Sequence, residues 1–154
     1  EFAEALLEAK GMGGSEVLLD NPETQPENNS SVILATIHQN GKYLFTADAG
    51  AQALALAAHA YDLANCRWMQ IPHHGSRRNI TRSLIEHFSP KVAYVSAAGN
   101  KKHPRRAVVN AFKDNGASVY STHYPSPANK WHHRGDVPDR PGYSSATPLW
   151  EASE

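Results

Sequence analysis

The alternation of apolar and polar positions changes rhythm several times along this chain, and each change marks an element. Residues 31–37 form a run dominated by Val, Ile, Leu and Thr, the composition of a strand, and their near-continuous apolarity predicts a buried one. Asn40-Gly41 is a two-residue hairpin signal, and 42–46 is the returning strand. Residues 52–64 are rich in Ala and Leu and predict a helix. A strand follows at 67–71, closed by Pro72. A second helix is predicted over 80–88, with Thr81 as an early cap and Ser89-Pro90 as its stop. Residues 92–96 read as a strand and 97–102 as a loop. His103-Pro104 opens a third helix to about Lys113, because Pro is favoured in a first helical turn. Asn115-Gly116 ends that helix, and 118–122 is the last strand.

The flanks read differently. In residues 1–10, Phe2, Leu6 and Ala9 share one helical face and Gly11 can cap its end. The segment resembles the last turns of a helix, so the chain is expected to begin partway through a longer protein. Residues 11–14 are a flexible turn and 16–19 a short strand. Residues 21–30, dense in Asn, Pro and Glu, are expected to be a loop. From 125 to 154 the sequence is rich in Pro, Gly, Ser and Trp, an irregular extension expected to pack on the surface through Trp131, Tyr143 and Trp150. The organisation expected is therefore a domain over 1–124 with an extension over 125–154.

Three strands that alternate with helices predict an α/β layer, and the hairpin makes the sheet mixed, with flanking helices. In such sheets ligands gather beyond the C-terminal ends of the strands. Asp48, His73, His74, Asn100 and His103 all fall there.

Composition narrows the function classes. Of 154 residues 40% are hydrophobic, and 15 Lys and Arg balance 15 Asp and Glu. That is globular, without the charge excess of a disordered chain or of a dedicated nucleic-acid binder. The longest apolar stretch, 53–60, is interrupted by His59 and is too short to span a membrane. A lone cysteine, Cys66, excludes an internal disulfide and reads as a buried structural thiol. It leaves the compartment open, the cytoplasm slightly favoured.

The chemistry concentrates in two segments. Phe45-Thr46-Ala47-Asp48-Ala49 and, 25 positions on, Ile71-Pro72-His73-His74-Gly75-Ser76 each end an apolar run in metal-ligating side chains. A carboxylate and an imidazole at neighbouring strand ends are a common way to hold a divalent metal. Adjacent side chains diverge in extended backbone, so one of His73 and His74 is expected to be a ligand and the other to face substrate. Ser76 can hydrogen-bond a ligand or a phosphate oxygen. His103 lies at an expected helix start beside Asn100, Lys101 and Lys102, where N–H groups and positive charge suit a phosphate-bearing substrate. His132-His133 reads as surface.

Asn29-Ser30-Ser31-Val32-Ile33-Leu34, Leu44-Phe45-Thr46-Ala47-Asp48-Ala49, Pro72-His73-His74-Gly75-Ser76, and Val95-Ser96-Ala97-Ala98-Gly99-Asn100 with His103-Pro104 together resemble the C-terminal half of metallo-β-lactamase-fold hydrolases. The closest subgroup is the hydrolase domain of ComEC-type competence proteins. The resemblance covers roughly residues 28–122. It implies half of an αββα sandwich carrying one or two zinc ions, with manganese as the alternative metal. Asp48 would bridge the metals, His73 (with His74 kept open) would complete one of them, and a metal-bound hydroxide would attack a phosphodiester or other ester. His74 and His103 would then serve catalysis, and Ser76, Asn100, Lys101 and Lys102 would serve substrate binding.

Two departures stand beside the resemblance. Ala47 occupies a position where the family usually has Gly, and the family's first motif, His-x-His-x-Asp-His, has no counterpart here. The missing ligands would belong to an N-terminal half, either an upstream segment or a separate chain. The alternative expectation is a non-catalytic binding or assembly half of a larger protein. A nucleic-acid-binding module is a weaker third, since the neutral net charge disfavours strong nonspecific binding.

Overall fold

A computed structural model describes residue 18, residues 20–97 and 103–122, and the backbone of 131–132 and 144–145. The described chain opens with a single helical turn, α1 (Pro26–Asn29), and the hairpin β1 (Leu34–His38) and β2 (Gly41–Phe45) follows. Then come α2 (Ala51–Ala60), β3 (Trp68–Gln70), α3 (Arg82–Phe88), β4 (Val92–Val95), α4 (Arg106–Asp114) and β5 (Ser118–Ser121). Two short strands, β6 (Trp131–His132) and β7 (Ser144–Ser145), pair in parallel by themselves. The 125–154 extension, expected to be irregular, therefore holds at least this pairing. The N-terminal helix expectation and the surface anchors Tyr143 and Trp150 lie outside the described residues.

The five main strands form one sheet in the order β1-β2-β3-β4-β5, antiparallel between β1 and β2 and parallel thereafter. This is the α/β architecture with a mixed sheet that the sequence predicts. Because each parallel strand lies beside its predecessor and crossovers are right-handed, α2, α3 and α4 all fall on the same face. Burial follows that arrangement. Leu44, Met69, Ala93 and Val119 line up across the sheet and are fully buried beneath Leu54, Ile85, Phe88, Val108 and Phe112.

The other face carries a row of aromatic rings. Phe45 lies 4.9 Å from Trp68, Trp68 5.8 Å from Tyr94, and Tyr94 stacks on Tyr120 at 5.1 Å. No helix among the described residues covers this face. Burial, and secondarily Tyr120, raises the Tyr94 phenol above its ordinary range. A broad open concavity at the hairpin end of the face is lined by Thr36, His38, Tyr43 and Phe45.

Several local expectations need correcting. The first strand is exposed rather than buried: it is the sheet's edge, and Leu34 and Ile37 stay 55% and 66% exposed. The hairpin turn is Gln39-Asn40, because His38 pairs with Gly41. Gly41 takes φ 129°, and a Cβ there would lie 2.7 Å from the Arg67 Cβ, so glycine is needed just after the turn. Residues 26–29 form a helical turn where a loop is expected, with Pro26 at its start. The first long helix stops at Ala60, before Tyr61 in extended backbone. The second is capped as expected, Thr81 Oγ1 accepting the Leu84 N–H at 3.2 Å, and ends at Ser89 in a left-handed conformation. The third begins at Arg106, so His103 and Pro104 precede it and its dipole end sits at Arg105. Cys66 is buried, its thiol donating to the Leu63 carbonyl at 3.0 Å, and burial pushes its pKa up to about 11.

Candidate functional site

Parallel strands deliver their following loops to one edge of the sheet, and three of those loops meet here. The turn after β2 holds Ala47 and Asp48. The turn after β3, Pro72–Gly75, holds both histidines. The segment before α4 holds His103. Backbone bonds fasten them together: the His73 N–H donates to the Ala47 carbonyl at 3.0 Å, and the Arg105 N–H to the Gly75 carbonyl at 3.0 Å. Gly75, at φ 81°, lies against Pro104, and a Cβ on it would meet the Pro104 Cβ at 2.8 Å.

The backbone at this edge is strained. Five described non-glycine residues have positive φ: Ala47, Asn65, His73, His74 and Ser89. Three of them are site residues, Ala47 at φ 45°, His73 at 45° and His74 at 56°. Strain of this kind persists only where surrounding contacts over-determine it, and it clusters at functional sites. The expected extended backbone at the histidine pair is thus replaced by two consecutive left-handed residues. Their rings do not diverge to opposite faces but lie 6.0 Å apart. His103 also lies 6.0 Å from His73, so the sheet edge gathers two imidazoles around a third.

His73 is half-buried and His74 exposed. His74 Nδ1 lies 2.6 Å from the Ser96 carbonyl oxygen. A carbonyl only accepts, so this nitrogen carries the hydrogen and Nε2 keeps its lone pair. His73 Nδ1 lies 3.1 Å from Asn79 Oδ1 and 3.0 Å from Asn28 Nδ2. Asp48 is half-buried on the turn whose carbonyls, at Asp48 and Ala49, accept from Asn79 Nδ2 at 3.1 and 3.2 Å.

Ser76 faces inward. It is buried, and its hydroxyl accepts the Arg78 N–H at 3.3 Å, which closes a local turn. Asn100, Lys101 and Lys102 lie outside the described residues. Among the described residues no group of three or more His, Cys, Asp or Glu side chains is arranged to hold a metal ion. Asp48 and His73 therefore fall short of a complete ligand shell by themselves.

Asn28 and Asn79 are the site residues that pattern reading passes over. Asn28 comes from the helical turn α1, which also accepts the Gly50 N–H through the Asn28 carbonyl at 3.2 Å. Pro26 at the head of that turn is the signal that could have found it. Asn79 carries no comparable signal: one polar residue before a helix is a common loop feature.

No family model, no curated protein and no solved structure matches this chain.

Proposed function

We propose that this chain is the ligand-bearing half of a metal-dependent hydrolase acting on a phosphodiester or another ester. The observation that carries the reading is the convergence of the Asp48 turn with His73, His74 and His103 at the C-terminal edge of a parallel sheet, on backbone strained at Ala47, His73 and His74. A hydrolytic zinc site takes imidazole nitrogens and carboxylate oxygens and keeps one position open. This edge offers those donor types, with Asp48 and His73 as the ligands of this chain and His74 and His103 beside them. The remaining ligands of one or two zinc or manganese ions would come from an N-terminal half, upstream or on a separate chain. That arrangement corresponds to half of an αββα sandwich. His74 presents Nε2 toward solvent, where it can exchange a proton with substrate.

The test is elemental analysis of the chain alone and of the chain joined to its upstream segment, together with turnover of an activated phosphodiester. Zinc or manganese near one or two per molecule in the joined form, lost with activity in Asp48→Ala, is the expected result. Full activity in Asp48→Ala would refute it.

A second reading, a non-catalytic assembly half, is favoured by the aromatic row along one face of the sheet. Phe45, Trp68 and Tyr94 form a tilted aromatic row that runs into the buried Tyr120, and its exposed end at Phe45 offers apolar surface to a second sheet about 10 Å above. A joined form that assembles but binds no metal would select this reading. Among the described residues no helix is long and apolar enough to cross a membrane.

A further inference from the structure

The hydrogen-bond chain through Asn79 determines which nitrogen of His73 is on offer. Asn79 is fully buried. One end of its amide lies 3.1 Å from the Asp48 carbonyl oxygen and 3.2 Å from that of Ala49. Both partners can only accept, so that end must be the NH2 group. The other end, Oδ1, therefore faces His73 Nδ1 at 3.1 Å. Oδ1 can only accept, so Nδ1 must carry a hydrogen. In the neutral ring the lone pair is then left on Nε2.

Asn28 fits the same scheme. Its amide lies 3.0 Å from Nδ1, and the two ends of an amide are nearly isosteric. With a hydrogen on Nδ1, Asn28 turns its oxygen to the ring as a second acceptor.

We propose that Asn79 is a positioning residue that locks His73 as the Nδ1–H tautomer, presenting the Nε2 lone pair to a divalent cation or a proton donor in the loop crevice. The same side chain holds the Asp48 turn through two backbone carbonyls, so one amide sets His73 and the Asp48 backbone relative to each other. Partners of this kind are what orient metal-ligating histidines generally. The tautomer is a property of the ring whether or not the site hydrolyses anything. Failure of the hydrolase reading and failure of this assignment are therefore distinguishable.

The alternative is that Asn79 only staples two loops. Long-range proton–nitrogen correlation on the 15N-histidine-labelled chain separates the two. It is recorded at pH about 9, well above where histidine ordinarily titrates, with His73 identified by the signal lost in His73→Gln. The expected result is Nδ1 in the protonated range and Nε2 in the unprotonated range. In folded Asn79→Leu the acceptor is gone, Asn28 can donate to Nδ1, and the two nitrogens are expected to exchange ranges. A wild-type His73 protonated at Nε2, or an unchanged pattern in folded Asn79→Leu, would overturn the proposal. Should Asn79→Leu fail to fold, the wild-type spectrum still decides the tautomer.

Discussion

Ala47 holds a left-handed conformation at φ 45° directly before the carboxylate of the candidate site, and its replacement by glycine tests whether that geometry is as strained as it looks. For an L-residue the left-handed region costs about 1–2 kcal/mol. Glycine takes it without that cost but loses about 0.4–1 kcal/mol through the greater freedom of its unfolded chain. The methyl group of Ala47 is exposed, so its removal sacrifices little burial. The backbone bonds stay: the Ala47 carbonyl still accepts from His73, and its N–H still reaches Gln70 Oε1 at 3.3 Å. The net expectation for Ala47→Gly is a gain of about 0.5–1 kcal/mol. With a urea slope of about 2 kcal/mol/M, the midpoint rises by about 0.25–0.5 M. The assay is urea unfolding followed by far-ultraviolet circular dichroism, slopes compared between variants. Asn65→Gly is the control: Asn65 sits at φ 54°, but asparagine tolerates that region, so the gain there is smaller. An Ala47→Gly variant no more stable than the parent at unchanged slope would refute the reasoning.

Gly75→Ala should act in the opposite sense, because the new Cβ meets Pro104 at 2.8 Å and φ is 81°. A loss of more than about 2 kcal/mol in the same unfolding assay is expected. Thr81→Ala removes the cap on the Leu84 N–H and should cost about 1 kcal/mol, read as a lower urea midpoint. Cys66 gives a pH signature. Its folded pKa of about 11 lies above that of an unfolded thiol, so the unfolded chain ionises first as pH rises. The thiol's contribution is full below about pH 8.5 and falls through pH 11, by about 3 kcal/mol. The stability difference between wild type and Cys66→Ala, followed from pH 8 to 10.5, should shrink accordingly. The native thiol should also resist disulfide reagents that the urea-unfolded chain consumes.

The sheet was legible because its signals are local. Apolar runs at 42–46, 67–71, 92–96 and 118–122 sit between helical stretches, and strands so interleaved have few ways to pack. Thr81, Ser89 and Asn115 act at helix ends as their side chains or position suggest. The buried reading of the first strand failed because its apolar residues lie at an edge, where sequence alone does not say whether anything covers them. Asp48 and the histidine pair were visible as unusual strings at strand ends. The left-handed turn that brings the two rings together was not, because two consecutive non-glycine residues with positive φ contradict local preference and are held by tertiary contacts. Asn28 and Asn79 escaped for a similar reason. Each acts through partners 45 and 6 positions from it in sequence, and no periodicity encodes such a contact.

The unbroken strand order also bears on how the chain acquires its shape. Each strand from β3 to β5 docks beside the one just before it in sequence, so each of these pairings closes a loop of one helix and its connections. Loop-closure entropy is thus spent in small similar steps, which favours fast folding for a sheet protein. Growth can proceed from the hairpin towards β5 in the order in which a ribosome releases the segments. Asp48 is then in place before His73 emerges, and both before His103, so the candidate site is assembled in sequence order as the sheet widens. A stall after β3 would leave the histidine pair without the Ser96 carbonyl and the Pro104 contact that hold it in its left-handed turn. The turn is therefore completed only when the fourth strand and the segment beyond it have arrived.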